Sequence, residues 1–296
     1  MVKLELNEMP ELAVIGWPLH KTFSPIMQNA ALKSAGLSWR YEAIPIPKEH
    51  LSDFFFHASQ KMRGFNVTMP YKSDVYKLCS EVDDFAQKCG AVNTVVFHRE
   101  GTESKPYGYN TDGPGLLKAL SEKVGNEIKI SSSIILGAGG AAAGCAAALA
   151  SFGVKTISII NRTMYKAEEL AKTMGQNFKN VKWNVLNLEE GDKLQKAFED
   201  AELIVNCIPE EGALLFEPII EKCDAKDKMF CDLSYSEKPG KLYLKAQKMG
   251  YIVVSGIDVL LWQGVYAFEI FTGKPAPVKT MKDALTEKIG SWWLGC

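Results

Sequence analysis

Residues 134–144 read IILGAGGAAAG, and this run limits the architecture more than any other in the chain. The apolar Ile134–Leu136 has the make-up of a buried strand, the small residues after it allow a tight turn, and an Ala-rich helix runs on to Ser151. Gly153 then leads into a second apolar strand, TISII (156–160). A strand, a helix and a strand in this succession imply a parallel sheet. The letters Gly137-Ala138-Gly139-Gly140-Ala141-Ala142 fit the pattern G-x-G-x-x-G/A. Gly137 permits the turn, and Gly139 leaves room before the free amides of the helix, where a pyrophosphate binds. A turn with a small-residue packing face would carry the same letters, but the flanking strand and helix favour a dinucleotide.

The end of the next strand bears on which dinucleotide. An acid there would take the ribose 2′-hydroxyl of NAD. Instead the chain has Asn161-Arg162-Thr163, with Lys166 one turn on, a set that can pair with a 2′-phosphate and so favours NADP. Thr163 also suits the N-cap of the following helix. Further buried strands are LIVN (203–206), MFCDL (229–233) and YIVV (251–254). NCIPEEG (206–212) leaves its strand at the carboxyl end, the side that faces ligands in a doubly wound sheet. Its Cys207 and Ile208 sit either beside a nicotinamide or in an ordinary proline turn.

Upstream, LAVIG (12–16), YEAIPI (41–46), GFNVT (64–68) and AVNTVVF (91–97) are expected strands. SPIMQNAALKSAG (24–36) is an expected helix, with Ser24 as N-cap, Pro25 at the first position and Gly36 as the stop. The fold class is therefore α/β in two domains: an N-terminal α/β domain and a doubly wound dinucleotide-binding domain. The division places residues 1–112 in the first and 113–256 in the second, with the helical, Trp- and Phe-rich 257–296 returning to the first.

Lys plus Arg number 34 and Asp plus Glu 35, a balance with no electrostatic case for nucleic acid or an anionic membrane. No apolar stretch is long enough to span a bilayer, and the start has no signal core. Seven cysteines without a CxxC spacing fit reduced thiols in a cytoplasmic protein better than a disulfide framework. Histidines 20, 50, 57 and 98 are scattered, so no metal is expected.

The polar residues of the first half pose the harder question. In GFNVTMPYK (64–72), Phe65, Val67 and Met69 alternate with Asn66 and Thr68, as in a half-buried strand, and Lys72 follows Pro70. Lys72 is either a solvated strand-end lysine or one wall of a polar site. Thr22 and Ser24 flank Phe23 at a helix start, where two hydroxyls and free amides suit a carboxylate; Ser24 alone would serve as a plain cap. YNTDGPG (109–115) puts Asp112 in a Gly-rich turn. Asn93, inside an apolar strand, needs partners from the protein or from a ligand.

Taken together, these segments resemble the shikimate dehydrogenase family over nearly the whole chain. The similarity rests on GWPLHKTFSP (16–25), FNVTMPYK (65–72), GAVNT (90–94), YNTDGPG, the glycine loop, NRT (161–163) and DVLLWQG (258–264). It implies a reversible NADPH-dependent reduction of 3-dehydroshikimate to shikimate, on the route to chorismate and the aromatic amino acids. It implies Lys72 and Asp112 as the catalytic pair, and Thr22, Ser24, Thr68, Asn93, Tyr235 and Gln263 as the substrate-binding residues. The cofactor set is Gly137, Ala138, Gly139, Gly140, Ala141, Asn161, Arg162, Thr163, Lys166, Cys207, Ile208 and Gly256. The implied partner is a small molecule, and the protein a monomer or homodimer.

The chemistry matches the set. Hydride transfer to a ketone builds negative charge on oxygen, which a lysine ammonium can stabilise and protonate; in the oxidative direction neutral lysine accepts the proton. Thr22 stands where the family usually has serine, Ala143 where arginine often follows the glycine loop, and Ile208 where threonine is frequent. A quinate or dual quinate/shikimate dehydrogenase, with NAD in place of NADP, is the neighbouring alternative. A non-catalytic nucleotide-binding module would lack the Lys or Asp at 72 and 112, and both are present.

Overall fold

The computed structural model describes residues 9–19, 22–101, 103–125 and 129–294. The chain separates into two compact units. One runs to Thr111 and resumes over Gln263–Lys288; the other is Asp112–Trp262 with the residues from Ile289 on. The division based on sequence instead assigns all of 257–296 to the first unit.

Strands of the first unit are β1 (Leu12–Gly16), β2 (Tyr41–Pro45), β3 (Gly64–Val67), β4 (Glu81–Val82), β5 (Thr94–Glu100) and β6 (Glu103–Tyr109). They form one sheet in the order β2-β1-β3-β5-β6-β4. β1 pairs parallel with β2 and β3, while β5 runs antiparallel to both β3 and β6. The sheet is thus mixed, because the consecutive strands β5 and β6 pair antiparallel and need no crossover helix between them. Helices α1 (Ser24–Ser34), α2 (Leu51–Lys61), α3 (Lys72–Leu78) and α4 (Asp84–Cys89) belong to this unit. Phe54 and Phe55 of α2 meet Phe65 of β3 edge-on, at 5.3 and 5.8 Å, in the centre of its core.

The expected alternation in β3 does not hold. Gly64–Val67 is buried on both faces, Asn66 included, while Met69 beyond it is exposed. Helices cover one face and a polar network, described below, satisfies the other. Asn93 likewise precedes β5 instead of lying within it.

The second unit holds β7 (Ser132–Leu136), β8 (Thr156–Ile160), β9 (Lys182–Leu186), β10 (Leu203–Asn206), β11 (Met229–Asp232) and β12 (Ile252–Ser255). Every pairing in this sheet is parallel, and the order is β12-β11-β10-β7-β8-β9. The order reverses between β7 and β10, which is the position where doubly wound sheets take ligands at their carboxyl edge. Its helices are α5 (Asp112–Val124), α6 (Gly140–Phe152), α7 (Met164–Asn177), α8 (Gly191–Asp200), α9 (Glu210–Ala213), α10 (Glu217–Ile220) and α11 (Lys241–Met249). α12 (Gly256–Thr272) starts in this unit, and α13 (Val278–Ile289) follows.

Asp112 opens a helix instead of sitting in a turn. Pro114 is tolerated in the first turn, where its missing N–H would have no partner, and fully buried Leu116, Ala119 and Leu120 anchor the helix. Near the C-terminus, Trp292 Nε1 donates to Glu237 O at 3.1 Å and Lys123 Nζ to Trp293 O at 3.3 Å, which explains why this segment groups with the second unit.

Candidate active site

In the first unit, Ser24 is the first helical residue of α1 and not its cap. Phe23 occupies the cap position, and the Ser24 amide donates to Thr22 Oγ1 at 3.3 Å. Thr22 therefore performs the local bond that the sequence suggested for Ser24. The pair stays together at the amino end of an eleven-residue helix, with Ser24 buried and Thr22 half-buried.

Beyond β3 the chain is held by backbone hydrogen bonds at residues 68, 69 and 71. Thr68 N donates to Ile15 O at 2.8 Å, Trp17 N to Met69 O at 3.1 Å, and Tyr71 N to Thr68 O at 3.1 Å. The Trp17–Pro18 and Met69–Pro70 peptides are cis. A side chain at Gly16 would bring Cβ to 2.5 Å from the Thr68 methyl, so the glycine lets the β1 exit lie against Thr68. Lys72 then starts α3, half-buried, with its carbonyl accepting from Val92 N at 2.9 Å. Its neighbour Tyr71 is fully buried and donates its hydroxyl to Ile46 O at 2.5 Å. Burial, then Glu49 and Asp74, push the Tyr71 phenol pKa up, so that hydroxyl keeps its proton.

Asn93 sits in a network that sequence reasoning did not foresee. Tyr41 donates its hydroxyl to Asn66 Oδ1 at 2.6 Å; Asn66 Nδ2 donates to Thr94 Oγ1 at 2.9 Å and to Asn93 O at 3.1 Å. Asn93 Oδ1 accepts from Thr94 Oγ1 at 3.0 Å and Thr111 N at 2.8 Å, and Asn93 Nδ2 donates to Thr111 Oγ1 at 2.9 Å. Asn110 Nδ2 donates to Ala91 O at 3.0 Å. Two Asn-Thr dipeptides, 93–94 and 110–111, thus bond to each other or to the adjoining backbone, and their repetition was the available signal. Asp112 follows the anchored Thr111 directly in the chain.

Gln263 is half-buried in α12, and Gln28 Nε2 of α1 holds the carbonyl of the next residue, Gly264, at 2.9 Å. A Cβ at Gly264 would fall 2.1 Å from Met27 Cε, so the glycine allows α1 to approach.

In the second unit the loops gather around the sheet's reversal. Gly137 has φ +112, and a Cβ there would lie 2.9 Å from Ile208 Cγ2; conformation and space both require glycine. Gly139 differs. Its backbone is ordinary extended chain, and a Cβ would meet nothing of the protein within 4 Å. The fold does not demand a glycine there, whereas a pyrophosphate approaching the first-turn amides of α6 does. Gly140 and Ala141 continue this small-residue turn, and Ala142 is fully buried against the sheet. The donor set fits a dinucleotide.

After β8, Asn161 Nδ2 donates to Thr163 O at 2.8 Å. Thr163 takes the cap position of α7 without making a side-chain cap bond, while Arg162 and Lys166 are exposed. After β10, Cys207 N donates to Leu136 O at 2.8 Å and Ile208 packs on Gly137. Gly256, the first residue of α12, faces the carbonyls of Ser234, Leu233 and Asp232, which a Cβ would meet at 2.5, 2.7 and 2.9 Å. Tyr235 is half-buried in the loop after β11. Among the described residues, no group of three His, Cys, Asp or Glu side chains is placed to hold a metal ion, and no helix is long and apolar enough to cross a membrane.

Comparison with known proteins gives three consecutive family matches. Residues 14–95 match a shikimate dehydrogenase substrate-binding domain, 119–238 a shikimate/quinate 5-dehydrogenase domain, and 256–286 a shikimate 5′-dehydrogenase C-terminal domain. A shikimate dehydrogenase (NADP+) of Methanopyrus kandleri is 38% identical over 286 residues, covering 94% of this chain and 95% of the relative. A crystal structure of a shikimate dehydrogenase in complex with NADP+ superposes with TM-score 0.80 at 34% identity, covering 94% of this chain and 95% of the other. The Thermus thermophilus shikimate 5-dehydrogenase in complex with NADP(H) and shikimate gives TM-score 0.76 at 31% identity, covering 94% and 99%.

Proposed function

The chain belongs to the shikimate dehydrogenase family, and from that premise we propose that it catalyses the reversible NADPH-dependent reduction of 3-dehydroshikimate to shikimate. The single observation that carries this reading is the similarity to NADP+-dependent shikimate dehydrogenases along 94% of the chain. The glycine loop at the sheet's reversal agrees with it. NADPH, when bound, supplies the hydride.

The remaining steps fall to the chain's own groups. Lys72 Nζ donates a proton to the oxygen that gains charge as the ketone is reduced, and takes it back in the oxidative direction. Asp112 is the second member of the catalytic pair. Thr22 and Ser24, with the leading amides of α1, bind the substrate carboxylate. Thr68, Asn93, Tyr235 and Gln263 take the ring hydroxyls and complete the carboxylate contacts. The first-turn amides of α6, exposed behind Gly137–Ala141, hold the pyrophosphate. Asn161, Arg162, Thr163 and Lys166 receive the 2′-phosphate, and Cys207, Ile208 and Gly256 border the nicotinamide. The pinned backbones of Thr68, Lys72 and Thr111 support these roles, because a proton donor is effective only when its position is fixed.

The substrate is a small molecule, and we place the enzyme in the cytoplasm as a monomer or homodimer. The cysteines at 79, 89, 145, 207, 223 and 231 are free thiols, as a reducing compartment keeps them. The test is the initial rate of oxidation of shikimate and of quinate, each with NADP+ and with NAD+. A rate confined to shikimate with NADP+ is expected; a dominant rate with quinate or NAD+ would overturn the specificity, and no rate in folded protein would overturn the activity.

A further inference from the structure

We propose that Asn206 and Asp232 form a positioning bridge that sets the loops after β10 and β11 for the nicotinamide end of the cofactor. The inference rests on the cofactor reading above and concerns two residues outside the predicted site.

The two are register partners at the ends of adjacent strands, and both are buried. Asn206 Nδ2 donates to Asp232 Oδ1 at 2.8 Å and to Ile208 O at 3.1 Å, and Ile208 N donates back to Asn206 Oδ1 at 3.3 Å. One carboxamide thus folds residues 206–208 onto their own strand end and joins them to the next strand. Asp232 does the same for its loop: Oδ1 accepts from Ser234 N at 3.0 Å and Ser234 Oγ at 2.7 Å. Leu233 N to Asn206 O, at 2.9 Å, adds a backbone tie.

Neither loop has slack on its far side. Ile208 lies against Gly137 of the glycine loop, and the carbonyls of 232–234 lie against Gly256. The bridge is therefore the central link of a packed series that runs from the glycine loop to Ser234, one residue before Tyr235. Breaking it frees both loops to shift, and a misplacement of about 1 Å can lower a rate about a hundredfold. The 2′-phosphate end of the cofactor, assigned to Asn161, Arg162, Thr163 and Lys166 after β8, is separated from β10 by β7 and lies outside this packed series.

That separation supplies the test. Asp232→Leu removes the acceptor while keeping a side chain branched at Cγ, whereas Asp232→Asn keeps Oδ1 in place. For each variant, kcat for shikimate oxidation is measured together with the calorimetric affinity for 2′,5′-ADP, which carries the 2′-phosphate but no nicotinamide. Asp232→Leu should lower kcat about tenfold or more while 2′,5′-ADP affinity changes about twofold or less, and Asp232→Asn should restore most of the rate. If Asp232→Leu does not fold, Ser234→Ala, which deletes one of the three bonds to Oδ1, is read in the same way with a smaller loss. Unchanged kcat, or equal losses in kcat and 2′,5′-ADP affinity, would overturn the bridge in an active wild type. A wild type that binds no 2′,5′-ADP and oxidises no shikimate would overturn the cofactor reading, and the bridge with it.

Discussion

The two units build polar surroundings in opposite ways. The first uses side chains: Tyr41, Asn66, Asn93, Thr94 and Thr111 are buried together and hydrogen-bonded to one another. The second uses omission. Gly139 has no Cβ where none of the protein would oppose one, and what it leaves is open space at the amino end of α6. A side-chain network is tied to the stability of its core, because each member left unpaired costs about 1–3 kcal/mol. A backbone cradle is almost independent of the core. Substitutions within the side-chain network should therefore damage folding and function together, and a substitution at Gly139 should separate them.

Four experiments probe that contrast. The largest effect is expected from Lys72→Ala, which should lower kcat by at least about a hundredfold, the scale of a lost proton-transfer group, while NADPH still binds; unchanged turnover would remove Lys72 from the mechanism. Next comes Asn66→Leu. It removes the acceptor of the Tyr41 hydroxyl and the donor to Thr94 Oγ1, while Asn93 O keeps its bond from Val67 N at 2.8 Å, so urea unfolding should show a loss of about 1–3 kcal/mol. A loss under about 1 kcal/mol would mean that the network relaxes without penalty.

Arg162→Ala follows. Removing a charge-assisted bond worth about 1.5–3 kcal/mol should weaken NADPH about tenfold or more and leave NADH nearly unchanged, with melting unaffected. Equal losses for both would exclude the 2′-phosphate contact. The smallest effect is on stability. Burial raises the Asp232 carboxyl pKa above its ordinary 3.8, against the lowering bonds from Ser234 and Asn206. The folded state then binds this proton more tightly than the unfolded state, so stability falls as pH rises from 3.8 through the higher folded value. Asp232→Asn removes that loss, and its melting temperature should exceed the parent's at neutral pH, with the gain vanishing below about pH 4.

The same contrast governs what was legible in the sequence. LAVIG, TISII and LIVN are found as β1, β8 and β10 within their expected bounds, because short apolar runs buried on both faces admit few alternatives. β6 and β9 escaped notice: ESKPYGY carries a proline and charges, and KWNVL is a partly exposed edge strand. D-G-P-G has turn chemistry and predicts a turn at Asp112, but burial of Leu116 and Leu120 overrides it and a helix forms. The glycine loop was legible because its pattern reflects backbone geometry. Asn66, Asn206 and Asp232 were not, because a polar residue in a strand reads as solvent-facing until its partners, far along the chain, are known.

The most direct test of a backbone cradle is to place a side chain at each of two glycines and measure urea stability and NADPH affinity for both. Gly139→Leu should stay within about 1 kcal/mol of the parent's stability, the scale of a changed helix N-cap, since its Cβ meets no protein atom within 4 Å, yet bind NADPH about tenfold or more weakly, equivalent to about 1.4 kcal/mol. Gly137→Ala should instead lose stability, through its φ of +112 and the Ile208 contact at 2.9 Å. A Gly139→Leu protein that binds NADPH like the parent would contradict the cradle.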